Sequence, residues 1–404
     1  MKFSKTCLAA ALALSLASTA QAADTIKIGV SGPYTGGSSS MGVSMREGVR
    51  LAAKDINAQG GVLGRQLELV ERDDEAKNER GVQISQELIN RENVVATVGF
   101  INTGVALAGT RFYQKAGIPV VVNVSTGTVV SRQFLAPKYE HNYVFRTSAA
   151  DNIQAPMIAA EAVTKRGFKK VAIMADSTNY GQLGREDMEK ALDKLGVKPV
   201  AVEKFNIGDV DMTAQLLRAK EAGAEALLTY GIGPELAQLA NGMAKLGWKV
   251  PMIGSWTLAM ANFIDTARAN GDGALMPQTF IQNPNTPKRK AFIDAYVQAG
   301  HPKNGVIESA VSAAQGYDSL LLLAAAIQQA GNTKGADIRA ALEDLQKPVE
   351  GVIMTYQHPY TAEDHETIDG PDMVYMGEVS KGRVVFAHPE DEKRSVANSG
   401  QAAQ

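Results

Sequence analysis

Five histidines (His141, His301, His358, His365 and His388) and one cysteine (Cys7) are the residues of this 404-residue chain best suited to chemistry near neutral pH. Their placing argues against such chemistry. A single cysteine excludes a disulfide framework and a cysteine-based zinc site. Asp364-His365-Glu366 crowds three ligating residue types together, but adjacent residues do not all face one point, so the triplet reads as surface loop and no metal is expected. No Gly-x-Ser-x-Gly elbow is present. Gly29-Val-Ser-Gly32 matches only part of the Gly-x-Gly-x-x-Gly dinucleotide fingerprint. Hydroxyls and backbone amides remain. Asn102-Thr103-Gly104 lies just before a helical segment, where free N–H groups and the helix dipole hold an anion. Ser125-Thr126-Gly127-Thr128 adds donors from the adjacent strand end. Such a pocket suits a carboxylate held by neutral dipoles, while the shortage of acids, bases and nucleophiles points to binding without catalysis and without a cofactor.

Two series of strands and helices must position these groups. In the first, strands are expected at 26–30, 67–70, 94–99 and 119–123, with helices between them. Ser44 and Glu47 read as a capping box opening a helix, Gly60-Gly61 closes it, and the charged stretch 71–80 reads as a solvated loop and helix start. The pattern restarts with strands at 171–175, 201–205, 226–230 and 250–253. Helices at 180–195, 212–221 and 235–246 separate them. Further helices follow at 310–329 and 337–345, then strand-like runs at 373–379 and 383–387. The alternation implies an α/β protein with two doubly wound parallel-sheet lobes. Open parallel sheets bind ligands at the carboxyl ends of their strands. Here that end offers the loops 31–42, 100–104, 124–128, 176–180, 231–234 and 254–258.

The chain holds 41 Lys+Arg against 43 Asp+Glu, a formal charge of −2, which gives no general pull on nucleic acid. Lys2 and Lys5, an apolar run from Cys7 to Ala17 and the ending Ala20-Gln21-Ala22 form a secretory signal peptide over residues 1–22. Removing those 22 of 404 residues takes away both lysines and the cysteine, leaving 382 residues and a charge of −4. No later apolar run approaches membrane-spanning length. A periplasmic, monomeric protein is the expectation.

Several segments together resemble the leucine/isoleucine/valine-binding family of type I periplasmic substrate-binding proteins, components of ABC importers. They are Ile28-Gly-Val-Ser-Gly-Pro33, Ala53-Lys-Asp-Ile-Asn-Ala-Gln-Gly-Gly61, Asp73-Asp74, Val98-Gly99, Gly117-Ile-Pro119 and Tyr180-Gly181. The resemblance implies two lobes joined by a three-crossover hinge, closing on a small ligand that passes to a membrane permease. It places the first lobe at 23–146 plus 276–352 and the second at 147–275 plus 353–404.

Carried over residue by residue, the resemblance assigns the ligand carboxylate to Thr103, Val124 and Thr126, with Asn102, Gly104 and Ser125 beside them. Tyr180 matches a second-lobe tyrosine. Met41 and Ile232 fall near aromatic positions of the two lobes. The acidic residue that receives an α-ammonium group in amino-acid binders falls on Trp256. A buried ammonium without its carboxylate costs on the order of 3–5 kcal/mol, roughly two to four powers of ten in affinity. Tryptophan offers a flat apolar face instead. The reading is therefore a small carboxylate that is aromatic or otherwise lacks an α-amino group. An amino-acid or amide ligand stays open if an acid elsewhere, such as Glu235, supplies the partner. A ligand sensor, or an enzyme built on Asp176, are the other readings.

Overall fold

The computed structural model describes residues 25–299 and 303–400; the signal-peptide assignment at 1–22 and His301 lie outside them. The chain opens with β1 (Ile26–Gly32), α1 (Ser39–Ala58), β2 (Leu67–Asp73), α2 (Asn78–Asn90), β3 (Ala96–Gly99), α3 (Thr103–Ala116), β4 (Val120–Val122) and β5 (Val144–Arg146). It crosses over into α4 (Asp151–Ala160), β6 (Val171–Asp176), α5 (Asn179–Lys194), β7 (Ala201–Phe205), α6 (Thr213–Glu221), β8 (Ala226–Tyr230) and α7 (Gly233–Lys245). Next come β9 (Met252–Gly254), α8 (Ala261–Ala267), β10 (Leu275–Gln278), α9 (Pro287–Gln298), α10 (Ala310–Ala330) and α11 (Gly335–Glu343). The chain ends with β11 (Val349–Glu350), β12 (Thr355–Tyr356), β13 (Tyr375–Ser380), β14 (Arg383–Phe386) and α12 (Pro389–Asn398).

Two sheets result. The first runs β2-β1-β3-β4-β5, every neighbouring pair parallel. The second runs β14-β13-β10-β9-β8-β6-β7, parallel from β7 to β10 and finished by the antiparallel pair β13–β14. Helices cover both faces, so central strands carry unbroken apolar runs such as Val120-Val-Val122, all fully buried. In the first lobe α1 and α10 cross so closely that a Cβ on Gly48 would lie 2.0 Å from the Ala313 carbonyl oxygen. A Cβ on Gly316 would lie 2.3 Å from that of Met45. Only glycine admits this approach at both positions. α10 is long and apolar enough to cross a bilayer, yet 83% of its most apolar window is buried, so it is a core helix.

Several expectations need correction. α1 starts at Ser39, not at a Ser44 cap. Ser44 lies inside the helix, its Oγ accepting from the Ser309 N–H at 3.0 Å, and Glu47 bonds Arg46 and Arg50. β10 lies wholly within the second sheet, so the crossover out of it follows Gln278, not residue 275. Residues 365–367 run along the first lobe: the Arg146 N–H donates to His365 O, and the Thr367 N–H to Arg146 O. The triplet 364–366 is therefore not wholly a surface loop: His365 and Glu366 are buried there, while Asp364 is exposed. Within 71–80, Asp74 is fully buried, and burial pushes its carboxyl up to about 7.

Candidate functional site

The site begins where β3 ends. Gly99, at φ +153°, brings the strand against β1, and Phe100 follows in the left-handed region at φ +65°. A bulky residue at positive φ is strained and must be held by its surroundings. Here the Phe100 N–H donates to Ser31 O and its carbonyl accepts from the Ser125 N–H, both at 2.9 Å. These bonds join the ends of β1 and β3 and the loop after β4 into one rim.

On that rim Thr103 is the first residue of α3, and its Oγ1 accepts from Ser125 Oγ and the Gly127 N–H, both at 3.3 Å. Thr126 Oγ1 is buried, facing the Asp151 carboxylate. Val124 packs in the apolar core beneath. Asn102 turns away, its Nδ2 donating to Ser38 Oγ at 3.0 Å. A Cβ on Gly127 would lie 2.4 Å from Thr103 Cγ2, so the loop must pass Thr103 as glycine.

Beneath the rim is a device the sequence reading missed. Arg146, fully buried, donates from Nε and Nη2 to Glu366 at 2.7 Å each and from Nη1 to the Gly127 carbonyl at 2.8 Å. Ser131 bonds the same carboxylate. His365 stacks on Phe145 at 3.9 Å and approaches Glu343 through Nε2. A distant acidic residue thus clamps the strand end that carries Thr126. Only a charge-bearing triplet late in the sequence hinted at it.

Across the cleft, Tyr180 lies in the first turn of α5, which Thr178 caps. Its hydroxyl donates to Ser255 Oγ at 2.5 Å, and Ser255 meets Thr257 Oγ1 at 2.9 Å. Burial raises the Tyr180 hydroxyl well above its usual range, so it stays protonated. Trp256 is 2% exposed; its N–H donates to Gln154 Oε1 at 3.3 Å and its carbonyl accepts from Gln278 Nε2 at 3.2 Å. Its partners lie in α4 and at the end of β10, so two separate elements of the chain fix this residue. Met41, Val124, Tyr180, Ile232 and Trp256, drawn from both lobes, share one apolar cluster.

The cleft is closed. Asn262 Nδ2 donates to Gly37 O at 2.8 Å, and Thr128 Oγ1 to Asp187 at 2.7 Å, each bond crossing between lobes. A Cβ on Gly104 would lie 2.8 Å from Asn179 Oδ1, so the starts of α3 and α5 meet there.

Three acids lie near the closed site. Asp176 Oδ1 accepts from the Thr178 N–H at 2.8 Å and its hydroxyl at 2.5 Å, a helix-start role. Glu235 Oε1 accepts from the Gly208 N–H at 2.8 Å and so is engaged with the loop after β7, not with Trp256. Asp151, the first residue of α4, was not read from the sequence. Among the described residues no group of three or more His, Cys, Asp and Glu could hold a metal.

The profile of a family described as periplasmic binding protein matches residues 25–383. A leucine-, isoleucine-, valine-, threonine- and alanine-binding protein of Pseudomonas aeruginosa is 28% identical over 336 residues, 82% of this chain and 86% of that one. A type 1 periplasmic binding protein from Bordetella pertussis Tohama I superposes with a TM-score of 0.79 at 30% identity, covering 90% of this chain and 99% of that one. An R. palustris ABC-transporter solute-binding protein in complex with 4-hydroxybenzoate shares the fold, with a TM-score of 0.77 at 22% identity over 90% and 96% of the two chains. Two α/β lobes closed over a rim of hydroxyls, and a profile match over nearly the whole described chain, lead to one conclusion: the chain belongs to the periplasmic binding protein family, the substrate-binding components of ABC transporters.

Proposed function

We propose that this protein captures a small carboxylate by hinge closure and delivers it to an ABC permease, and that the ligand carries a ring or other flat apolar body and no α-amino group. The observation that carries this reading is the pairing of an anion rim without cationic side chains with Trp256 opposite. Thr103, Ser125, Thr126 and the free N–H groups at the start of α3 offer dipoles to a carboxylate. The loop 254–258 offers a ring and two hydroxyls but no acid. Tyr180, Trp256, Met41 and Ile232 then cover the apolar body. A 4-hydroxybenzoate complex among the structural neighbours is consistent with such a ligand. Thermal-shift and calorimetric titration with benzoates, aliphatic acids, amides and branched-chain amino acids tests the reading. Aromatic acids should stabilise most, and Trp256→Ala should weaken them more than tenfold while leaving the lobes folded. Stabilisation by leucine alone, or an unchanged affinity in Trp256→Ala, refutes it.

The amino-acid reading is favoured by the amino-acid-binding relative from Pseudomonas aeruginosa and by one feature of the cleft. Asp151 lies there, its carboxylate met by the Thr126 and Tyr230 hydroxyls.

A further inference from the structure

The helix α12 begins beyond residue 383, where the family profile ends, and its bonds reach both lobes. Toward the second lobe, Asp391 Oδ2 accepts from the Met376 N–H of β13 at 2.7 Å and Arg394 donates to Val374 O at 2.7 Å. His388, just before the helix, lies 3.0 Å through Nε2 from Glu161, just past α4. Toward the first lobe, Arg289 of α9 donates from Nη1 and Nη2 to Ser395 Oγ and Ser395 O, both at 3.0 Å. Thr355 of β12 donates to Ser399 O at 2.8 Å. α9 belongs to that lobe through Phe292, whose ring meets Tyr317 of α10 at 5.2 Å. Two passages of the chain between the lobes are held as well. Asn283 and Asn285, after β10, donate to Glu392 at 2.8 Å and to Ser395 Oγ at 3.1 Å, and Asn398 donates to Asp372 O, before β13, at 2.9 Å.

The buried side of this helix is polar. Asp391, Ser395 and, just past its end, Ser399 recur every fourth residue and are buried, whereas Lys393 and Ala397 between them are exposed. A surface helix is ordinarily held by an apolar stripe, which tolerates sliding because apolar attraction has no direction. Hydrogen bonds do not tolerate it. The second-lobe anchor Asp391 and the first-lobe anchor Ser395 are about one turn apart, roughly 6 Å along the axis. That length leaves no slack: moving the lobes apart at this point by more than roughly 0.5 Å takes a 3.0 Å bond past hydrogen-bonding distance on one side or the other. The closed arrangement makes both sets at once.

We infer that α12 is a strap across the hinge, its polar face satisfied only when the lobes are closed, so that it biases the hinge toward closure and raises affinity without touching the ligand. This rests on the reading of the molecule as a hinge-closing receptor and goes beyond it, since it involves no residue of the cleft and holds for any ligand. A ligand that binds the closed arrangement is bound more weakly when that arrangement is less populated.

The test is the distance between the lobes. Without residues 1–22 the chain has no cysteine, so Glu79→Cys on α2 and Val210→Cys after β7, both exposed and on opposite lobes, carry a clean pair of spin labels. Pulsed electron paramagnetic resonance compares the labelled protein with a version lacking residues 389–404 and with Ser395→Leu, which pushes a branched side chain into the seat. Without ligand, both variants should show a pair distance longer by several ångströms. The tightest acid of the panel should bind them about tenfold more weakly and draw the distance back to that of the labelled parent. Circular dichroism shows whether the shortened chain folds; should it not, Ser395→Leu decides. Equal unliganded distances in parent and variants, even beside a lower melting temperature, overturn the strap and make α12 a structural part only; the hinge-closing reading stands if acids still shorten the distance. Acids that bind without changing the distance in any of the three remove the hinge-closing reading and the strap with it.

Discussion

Glu366→Ala should be among the most destabilising single changes in the described chain. Arg146 is fully buried and Glu366 nearly so, and two 2.7 Å bonds join them. Removing the carboxylate leaves a guanidinium in the core with its Nε and Nη2 donors unmet. Breaking one side of such a pair costs about 3–5 kcal/mol, roughly two to four powers of ten in the unfolding constant. In urea melts followed by circular dichroism the midpoint should fall by about 1 M or more, given slopes of a few kcal/mol per molar. The double variant Arg146→Met/Glu366→Leu should recover most of that loss, because an apolar pair of similar volume removes the buried charge. Binding should not recover. Without Nη1, the Gly127 carbonyl loses its 2.8 Å donor and the rim under Thr103 and Thr126 loses its clamp. A loss below about 1 kcal/mol in Glu366→Ala, the range of exposed pairs, would refute the clamp. So would a double variant that recovers affinity together with stability.

Gly127→Ala places a methyl 2.4 Å from Thr103 Cγ2, so Thr103 must move; titration with the tightest acid of the panel should show at least a tenfold loss beside only a modest fall in melting temperature. Burial pushes Asp74 and Asp151 up to about 7 and Asp176 and Asp318 up to about 6, from 3.8 in the unfolded chain. The folded protein therefore takes up protons that the unfolded chain takes up only near pH 4, and stability of the unliganded protein should rise as pH falls from 8 to 5. Asp151→Asn should flatten the part of that rise between pH 8 and 6, measured by urea melts at stepped pH. A stability that declines across this window contradicts the assignment.

The alternation of apolar strands and amphipathic helices was enough to read two parallel-sheet lobes, because central strands covered on both faces leave a plain signature in Val120-Val-Val122 or Ala226–Tyr230. That Thr103 and the loop 125–127 come together was legible too, since these residues follow strands and precede or face a helix start. What escaped is what depends on residues far apart in sequence. Arg146 and Glu366 are 220 positions apart, and neither residue alone announces a buried pair. Asp151 opens a helix that carries Pro156 in its interior and is weakly amphipathic, which hid the element and its first residue. The Ser44–Glu47 spacing looked like a cap, but the helix already ran through it because Ser44 is occupied by Ser309 from the far side of the chain.

The crossing of α1 over α10 also orders events in time. Its two glycine contacts join residues 48 with 313 and 45 with 316. During synthesis, the first lobe cannot cover α1 until α10 has emerged, whereas the second lobe's parallel strands, β6 to β10, are complete by residue 278. Contacts this distant in sequence form late, since the chain between them must first be brought together. The parallel part of the second sheet can therefore pair while α1 still lacks its cover, and β13 and β14 join that sheet only after α10. A nascent chain held short of residue 310 leaves uncovered the face of α1 that packs on α10.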